Sequence, residues 1–357
     1  MKTQSAKESR AKPAGISKPP AQRSRARIQD VASWAGVSLG TVSAVLNSNG
    51  RIGEDTRARV QEAIAALGYR PDLYASNMAR RQTQVLGLIV SNLQNPFFAE
   101  TAQAIEEEAA EHGYQISLMA TNFRPEQLRE AVKRLLGSRL AGLAVLTSEH
   151  DEASRQLVLA SGLPSVFLDV GAPADRLSIL RVDSRHGMQA AVNHLIELGH
   201  RQLIYVKNSQ HKGRQKLLSH RLRDQGFASA IRAFKAKGIS AQVVDVAGPG
   251  ADAGQEAISI AFEKAKFTAV IATTDLVAMG VYRGLQSRGL RIPEDVSVVG
   301  FDNTYFSRFM SPPLTTVDVP RLKLSQLTVA SLINGGTGQL MTLRTAIVVR
   351  ESTGPPA

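Results

Sequence analysis

No cysteine occurs among the 357 residues, which removes disulfides, thiolate nucleophiles and cysteine-based zinc sites from the possible chemistry. A reducing cytoplasm fits such a chain. No apolar run reaches the roughly 18 residues that a membrane span needs. The first residues lack the apolar central segment of a secretory signal, so export is not indicated. Chemistry motifs are missing as well: there is no P-loop, and His194 and His200 are spaced six apart, which fits no ordinary zinc pair. Gly248 to Gly254 reads GPGADAG, which lacks the glycine spacing of a dinucleotide fingerprint and is read as a loop. Neither a catalytic group nor a cofactor or metal site is expected.

What the chain does have is positive charge, placed unevenly. Its formal net charge is +12. Met1 to Gln82 hold 14 Lys and Arg against 6 Asp and Glu, leaving 29 against 25 for all that follows. A basic end on a nearly neutral body is the footprint of a polyanion-binding head. Residues 1–26 are Lys, Arg, Ser, Ala and Pro with almost no large apolar side chains. They are expected to be a disordered basic tail, serving as a loose arm for DNA or merely as a solvated one.

Residues 27–71 carry helical patterns. Val31 and Ala35 share one face, Gly36 supplies a tight turn, Ser38 can cap the next helix, and Val42, Val45 and Leu46 return an apolar stripe. A third stripe, Val60, Ile64 and Leu67, follows Glu54 and Asp55 and ends at Gly68. Three short helices therefore close over a small core. The second exposes Leu39, Gly40, Thr41, Ser43 and Ala44, small enough on the whole to approach the floor of a major groove about 12 Å wide. Thr41 and Ser43 can bond phosphates or base edges, Leu39 can meet a thymine methyl, and Arg51 and Arg57 can pair with phosphates.

After Thr83 strands and helices alternate. Apolar runs at Val85–Val90, Gln115–Ala120, Gly142–Leu146, Ser165–Val170, Leu203–Val206, Gln242–Val246, Ala269–Ala272 and Val296–Val299 each lead toward a helical segment. Alternation of this kind builds parallel sheets covered by helices, and the number of strands calls for two doubly wound lobes with a ligand between them.

The segment VASWAGVSLGTVSAVLN, followed by GYRP and a basic Ala-containing stretch, resembles the head of the LacI/GalR family of bacterial transcription regulators. The likeness continues in order through VLGLIVSNLQNPFFAE at Val85 to Glu100, HLIELGHRQL, TTDLVAMG, and GLRIPEDVSVVGFDN with PPLTTV after it, so it covers Arg27 to Glu351. It implies an α/β chain: an all-α helix-turn-helix head (27–71), a hinge helix (72–83) and a periplasmic-binding-protein-like core of two parallel-sheet lobes. Lobe 1 is expected at 84–182 and 318–338 and lobe 2 at 183–317 and 339–357, with crossings near Asp183, Val317 and Gln339.

The resemblance also implies site residues. In the hinge, Tyr74 and Met78 would contact DNA, Met78 taking the place of a leucine that wedges into the minor groove at the operator centre. In the cleft, Phe97, Phe98, Asp169, Arg223, Thr274 and Asp302 would hold an effector. Carboxylates and a guanidinium each engage adjacent hydroxyls while rings cover a sugar face. On spacing alone, Phe97 and Phe98 also suit an ordinary core, Asp302 a turn and Arg223 a surface charge.

Three departures from the family pattern stand out. Thr274 replaces the usual Asn before Asp275. The stretch after Val206 is long and basic, with Lys207, Lys212, Arg214, Lys216 and Arg221 beside His211 and His220, which suits an anionic sugar derivative or a solvated loop. Met78 is the third. In the head, Gly40 and Ala44 stand where relatives often carry base-reading polar groups, so operator preference leans on methyl contacts and DNA shape. Arg27 stands where a capping Thr is common, which loosens the start of the first helix. The expected protein is a cytoplasmic, nucleoid-associated homodimer or tetramer that binds operator double-stranded DNA and a small effector, foremost as a repressor. An activator or dual regulator, or a solute-binding protein without operator specificity, are the other readings.

Overall fold

The computed structural model describes residues 26–46, 52–69, 83–147, 149–208 and 218–357. The chain divides into two units, 1–81 and 82–357. In the first, α1 (Ile28–Ala35), α2 (Leu39–Leu46) and α3 (Glu54–Leu67) pack around Val31, Ala32, Ala35, Val42, Val45, Val60 and Ala63. Ile64 and Leu67 sit at the edge of this core, half-buried. Gly36 and Gly68 end their helices at φ 65° and 57°, the left-handed region that a side chain disfavours. Ser38 Oγ accepts the Thr41 amide at 3.1 Å, capping α2 as its sequence position suggests. Arg27 offers α1 no side-chain cap. Its own amide instead donates to Asp30 Oδ2 at 2.7 Å.

The second unit holds two six-stranded sheets. Those of the first lobe are β1 (Val85–Val90), β2 (Gln115–Ala120), β3 (Gly142–Leu146), β4 (Ser165–Leu168), β5 (Leu177–Val182) and β11 (Leu340–Leu343). Their order is β11-β5-β4-β3-β1-β2, every pair parallel. Those of the second lobe are β6 (Gln202–Asn208), β7 (Ser240–Val246), β8 (Ala269–Ala272), β9 (Ser297–Asp302), β10 (Thr315–Asp318) and β12 (Ala346–Val348), in the order β12-β10-β9-β8-β6-β7. Here β12 runs antiparallel to β10, so the second sheet is mixed at one edge. The inner strands read VLGLIV, GLAVL and AVIA. They are almost wholly buried, as parallel strands covered on both faces require.

Helices cover both sheets: α4 (Pro96–Glu111), α5 (Pro125–Leu136), α6 (Glu152–Ser161) and α11 (Arg321–Ile333) the first, α7 (Ser184–Glu197), α8 (Leu218–Ala233), α9 (Ala251–Lys264) and α10 (Asp275–Gln286) the second. The chain leaves the first lobe between Val182 and Ser184 and returns after Asp318. The third crossing falls between Leu343 and Ala346 and not near Gln339, because residues 340–343 pair with β5. Ala251 to Gly254, expected as loop, form the first turn of α9.

That turn explains its small residues. A Cβ on Gly254 would stand 2.0 Å from Val277 O, and one on Gly280 would stand 1.7 Å from Ala251 O, so α9 and α10 touch backbone to backbone. Gly280→Ala is expected to destabilise the core by about 3 kcal/mol or more, since main chain cannot give way as a side chain does. Gly40→Ala is the control: its Cβ would meet only Ser38 Oγ, at 3.6 Å, and alanine favours helix by up to about 1 kcal/mol. Urea unfolding of the two variants checks the contrast.

Candidate functional site

A cleft opens between the lobes, at the carboxyl ends of their strands. Its first-lobe wall is built by α4. Asn95 caps that helix, its Oδ1 accepting the Phe97 amide at 3.1 Å, and Pro96 occupies the first turn. Phe97 and Phe98 are thereby presented at the cleft, edge to face at 5.2 Å, with Phe123 a further 6.2 Å from Phe98. Both rings also belong to the core cluster of the lobe, so the two readings of these residues are compatible.

Asp169 follows β4 at φ 56°. Its Oδ1 accepts the Val182 amide at 2.8 Å, and burial pushes its carboxyl up to about 6 despite that bond and the nearby Arg223 and Arg181. Below about pH 4 folded and unfolded chains both hold this proton; between about 4 and 6 only the folded chain keeps it. The group's contribution to stability therefore declines as pH rises through about 6. Asp169→Asn keeps the acceptor and tolerates positive φ. Its stability relative to the parent is expected to rise by roughly 2–3 kcal/mol between pH 4 and 8. Paired denaturation series measure this difference, from which the other titrating groups cancel.

The second-lobe wall centres on Arg223, which α8 delivers to the cleft, and Asp302, which ends β9. Arg223 is buried rather than a surface charge. Its Nη2 lies 3.3 Å from Asp302 Oδ1, its Nη1 donates to Thr273 O, and its guanidinium lies over the Phe301 ring at 3.8 Å. The Asp302 carboxyl stands above the ordinary range because burial opposes its charge and Asp275 repels it, with Arg223 and Arg321 acting against both. Thr274 lines the cleft too, but its hydroxyl oxygen accepts the Val277 amide at 3.2 Å, as the cap of α10.

Sequence reasoning missed the residue beneath these. Asp275, 1% exposed, accepts the Thr304 amide at 2.7 Å, the Thr304 hydroxyl at 3.0 Å and the Thr316 hydroxyl at 2.5 Å. It fixes the turn after Asp302 from behind. Thr147, Ser184, Ser219 and His220 also line the cleft, and only an Asp following Ser-Thr-rich strand ends could have hinted at such a polar floor. Two buried polar atoms in the wall, Arg223 Nε and Ser184 Oγ, have no hydrogen-bond partner among the described residues.

Of the basic stretch, Lys207 points to Asp245 at 3.3 Å and Asp224 at 3.9 Å, Arg221 is exposed, and His211, Lys212, Arg214 and Lys216 lie outside the described residues. His200 is structural: Thr268, Ser297 and Gly354 surround its ring at 2.9, 3.0 and 2.9 Å, and His194 meets Thr353 at 2.9 Å.

In the head, Leu39 is 45% exposed and Gly40 is exposed. Thr41, Ser43, Ala44 and Arg57 are half-buried, with Thr41 Oγ1 2.9 Å from Ser38 Oγ. Arg51, Tyr74 and Met78, the hinge and the N-terminal tail to residue 25 lie outside the described residues. No helix among the described residues is long and apolar enough to cross a membrane.

Known proteins share this fold. Residues 27–72 match the family described as bacterial regulatory proteins, lacI family, and residues 192–353 match the periplasmic binding protein-like domain. The HTH-type transcriptional repressor PurR of Mannheimia succiniciproducens is 32% identical over 84% of this chain and 89% of its own length. That of Histophilus somni is 30% identical over 92% and 98%. Among solved structures, the lac repressor dimer bound to operator and the anti-inducer ONPF is similar with a TM-score of 0.77 and 29% identity, covering 92% of this chain and 99% of that one. A complex of the transcriptional regulator CelR with cellobiose gives 0.64 and 29%, over 92% and 100%.

Proposed function

The chain belongs to the lacI family of bacterial regulatory proteins, and we propose that it is a DNA-binding transcription repressor whose operator affinity is switched by a small effector in the interlobe cleft. The head supplies DNA contact. Its α2 offers Leu39, Gly40, Thr41, Ser43 and Ala44 to the major groove, with Arg51 and Arg57 on phosphates and Tyr74 and Met78 in the minor groove. The related repressor is a dimer on its operator, and a two-fold protein reads a two-fold site. The place of work is the cytoplasm, on the nucleoid.

The observation that carries the effector half is that two residues lining the cleft, Arg223 and Ser184, each hold a buried polar atom, Nε and Oγ, with no hydrogen-bond partner among the described residues. A buried polar atom without a partner is costly, and a ligand oxygen relieves that cost. Phe97, Phe98 and Phe123 offer apolar faces, while Asp169, Arg223, Thr274 and Asp302 offer donors and acceptors around them. Such a mixture suits a sugar or sugar derivative, including an acidic one. Thermal unfolding of the full-length protein with a panel of sugars, sugar phosphates and purine bases tests this. A sugar-class ligand at 100 times its Kd is expected to add about 2.7 kcal/mol of stability. Stabilisation by purines alone would replace the ligand class, and stabilisation by none of the panel would contradict it.

A further inference from the structure

Two residues of the first lobe grip the backbone of the second lobe next to Asp302. Glu100 lies on α4, one turn beyond Phe97. Its Oε1 accepts the Tyr305 amide at 2.8 Å, and its Oε2 stands 3.2 Å from Arg321 Nε. Arg321 opens α11, and its other two nitrogens donate to the carbonyl oxygens of Asp302 and Asn303, each at 2.6 Å. The guanidinium fork thus spends one edge on a carboxylate of its own lobe and the rest on the opposite lobe, an arrangement that its planar geometry allows and a lysine's does not.

The gripped segment is an unusual one. Asp302 has φ of 118°, a conformation that persists in a non-glycine residue only when its surroundings hold it, and Asn303 follows at 52°, where asparagine is tolerated. From its own lobe the turn is held by Asp275 at Thr304 and through the Asn303 side chain, whose Oδ1 accepts from Arg350 Nη2 at 2.6 Å and whose Nδ2 donates to Asp318 Oδ1 at 2.8 Å. From across the cleft it is held by Glu100 and Arg321. Their side chains are 23% and 17% exposed, sheltered enough for the pair to outlast solvent screening better than an open surface pair.

We propose that Glu100 and Arg321 are positioning residues of the cleft, clasping the Asp302–Tyr305 turn and thereby setting the distance between the aromatic wall and the Asp302 wall. A molecule that engages Asp302 acts on the same turn, so any lobe movement on binding loads or releases the clasp. In this sense the inference rests on the effector reading of the cleft, yet the spacing it predicts is measurable with no effector present.

The lack of native cysteine makes that measurement direct. Spin labels on Glu111→Cys in α4 and Glu263→Cys in α9, both exposed positions on different lobes, report the spacing by pulsed electron resonance in full-length, ligand-free protein. The parent is expected to give one narrow distance. Arg321→Gln should shift or broaden it by about 2 Å or more. Glu100→Gln should do so to a smaller extent, since an amide oxygen still accepts from Tyr305. Arg321→Lys should restore part of the parent profile, and the Glu100→Gln, Arg321→Gln double variant should resemble Arg321→Gln alone, as members of one unit do. Should Arg321→Gln fail to fold, Glu100→Gln and Arg321→Lys carry the test. Parent spacing in the folded variants would overturn the clasp while leaving the effector reading to stand on Arg223.

Discussion

Arg223→Ala is expected to abolish the response to effector while operator binding persists. Arg223 is the buried cation between Asp302, at 3.3 Å, and the Thr273 carbonyl, it lines the cleft, and its Nε has no hydrogen-bond partner among the described residues. Breaking this buried pair costs the core about 3–5 kcal/mol of stability, and a ligand that accepts from the guanidinium loses a charge-assisted hydrogen bond of about 1.5–3 kcal/mol, which is roughly 10-fold to 150-fold in affinity. Asp302 then loses its cation and takes up a proton more readily, so some core stability is recovered at neutral pH. The head lies in a separate unit and keeps its own fold. Calorimetric titration with whichever panel compound stabilises the parent, beside operator gel shifts with and without it, reads both halves. An undiminished response would mean that the effector does not use Arg223.

Val42→Asp should do the converse. Val42 is fully buried in α2, in a core of seven small and medium apolar residues. A domain of this size is stabilised by only a few kcal/mol, and an unpaired carboxylate at its centre costs a comparable amount even if it takes up a proton. The head is expected to unfold and operator affinity to fall by 1,000-fold or more. The core, which contributes none of those seven residues, should keep its denaturation midpoint and its ligand affinity. Limited proteolysis, with rapid cleavage confined to the first 81 residues, checks the structural half. Parent-like operator binding would contradict the assignment of α2 to DNA contact.

These two variants divide along the line at which the sequence was most legible. The three helices of the head follow from stripes such as Val42 and Val45 and from Gly36 and Gly68, whose left-handed φ is what the turn demands. Inner strands such as Val85–Val90 and Ala269–Ala272 were legible to the residue, because a strand buried on both faces reads as an unbroken apolar run. The strands near the crossings were not. Leu177–Val182 has a serine and an arginine in it, Thr315–Asp318 is mostly polar, and Leu340–Leu343 and Ala346–Val348 are four and three residues long. Sheet membership decides their state, and local pattern carries no trace of it.

The candidate site divides in the same way. Family likeness pointed to Phe97, Phe98, Asp169, Arg223, Thr274 and Asp302, and the fold brings all six to one cleft. The supporting polar groups come from residues far apart in the chain. Glu100 meets Tyr305 across 205 positions, and Asp275 meets Thr316 across 41. No periodicity encodes such contacts, which exist only once two lobes and three crossings have placed the chain.

The central claim is that the head reads a specific DNA sequence on behalf of the core. Its most direct test is selection of binding sites from random duplex DNA by full-length protein at near-physiological salt, followed by sequencing. Convergence on one two-fold symmetric site is expected, with a flexible step at its centre if side chains of the proposed hinge enter there. Recovered sequences without a common site, bound with an affinity that follows salt alone, would contradict it and leave a basic tail on a solute receptor.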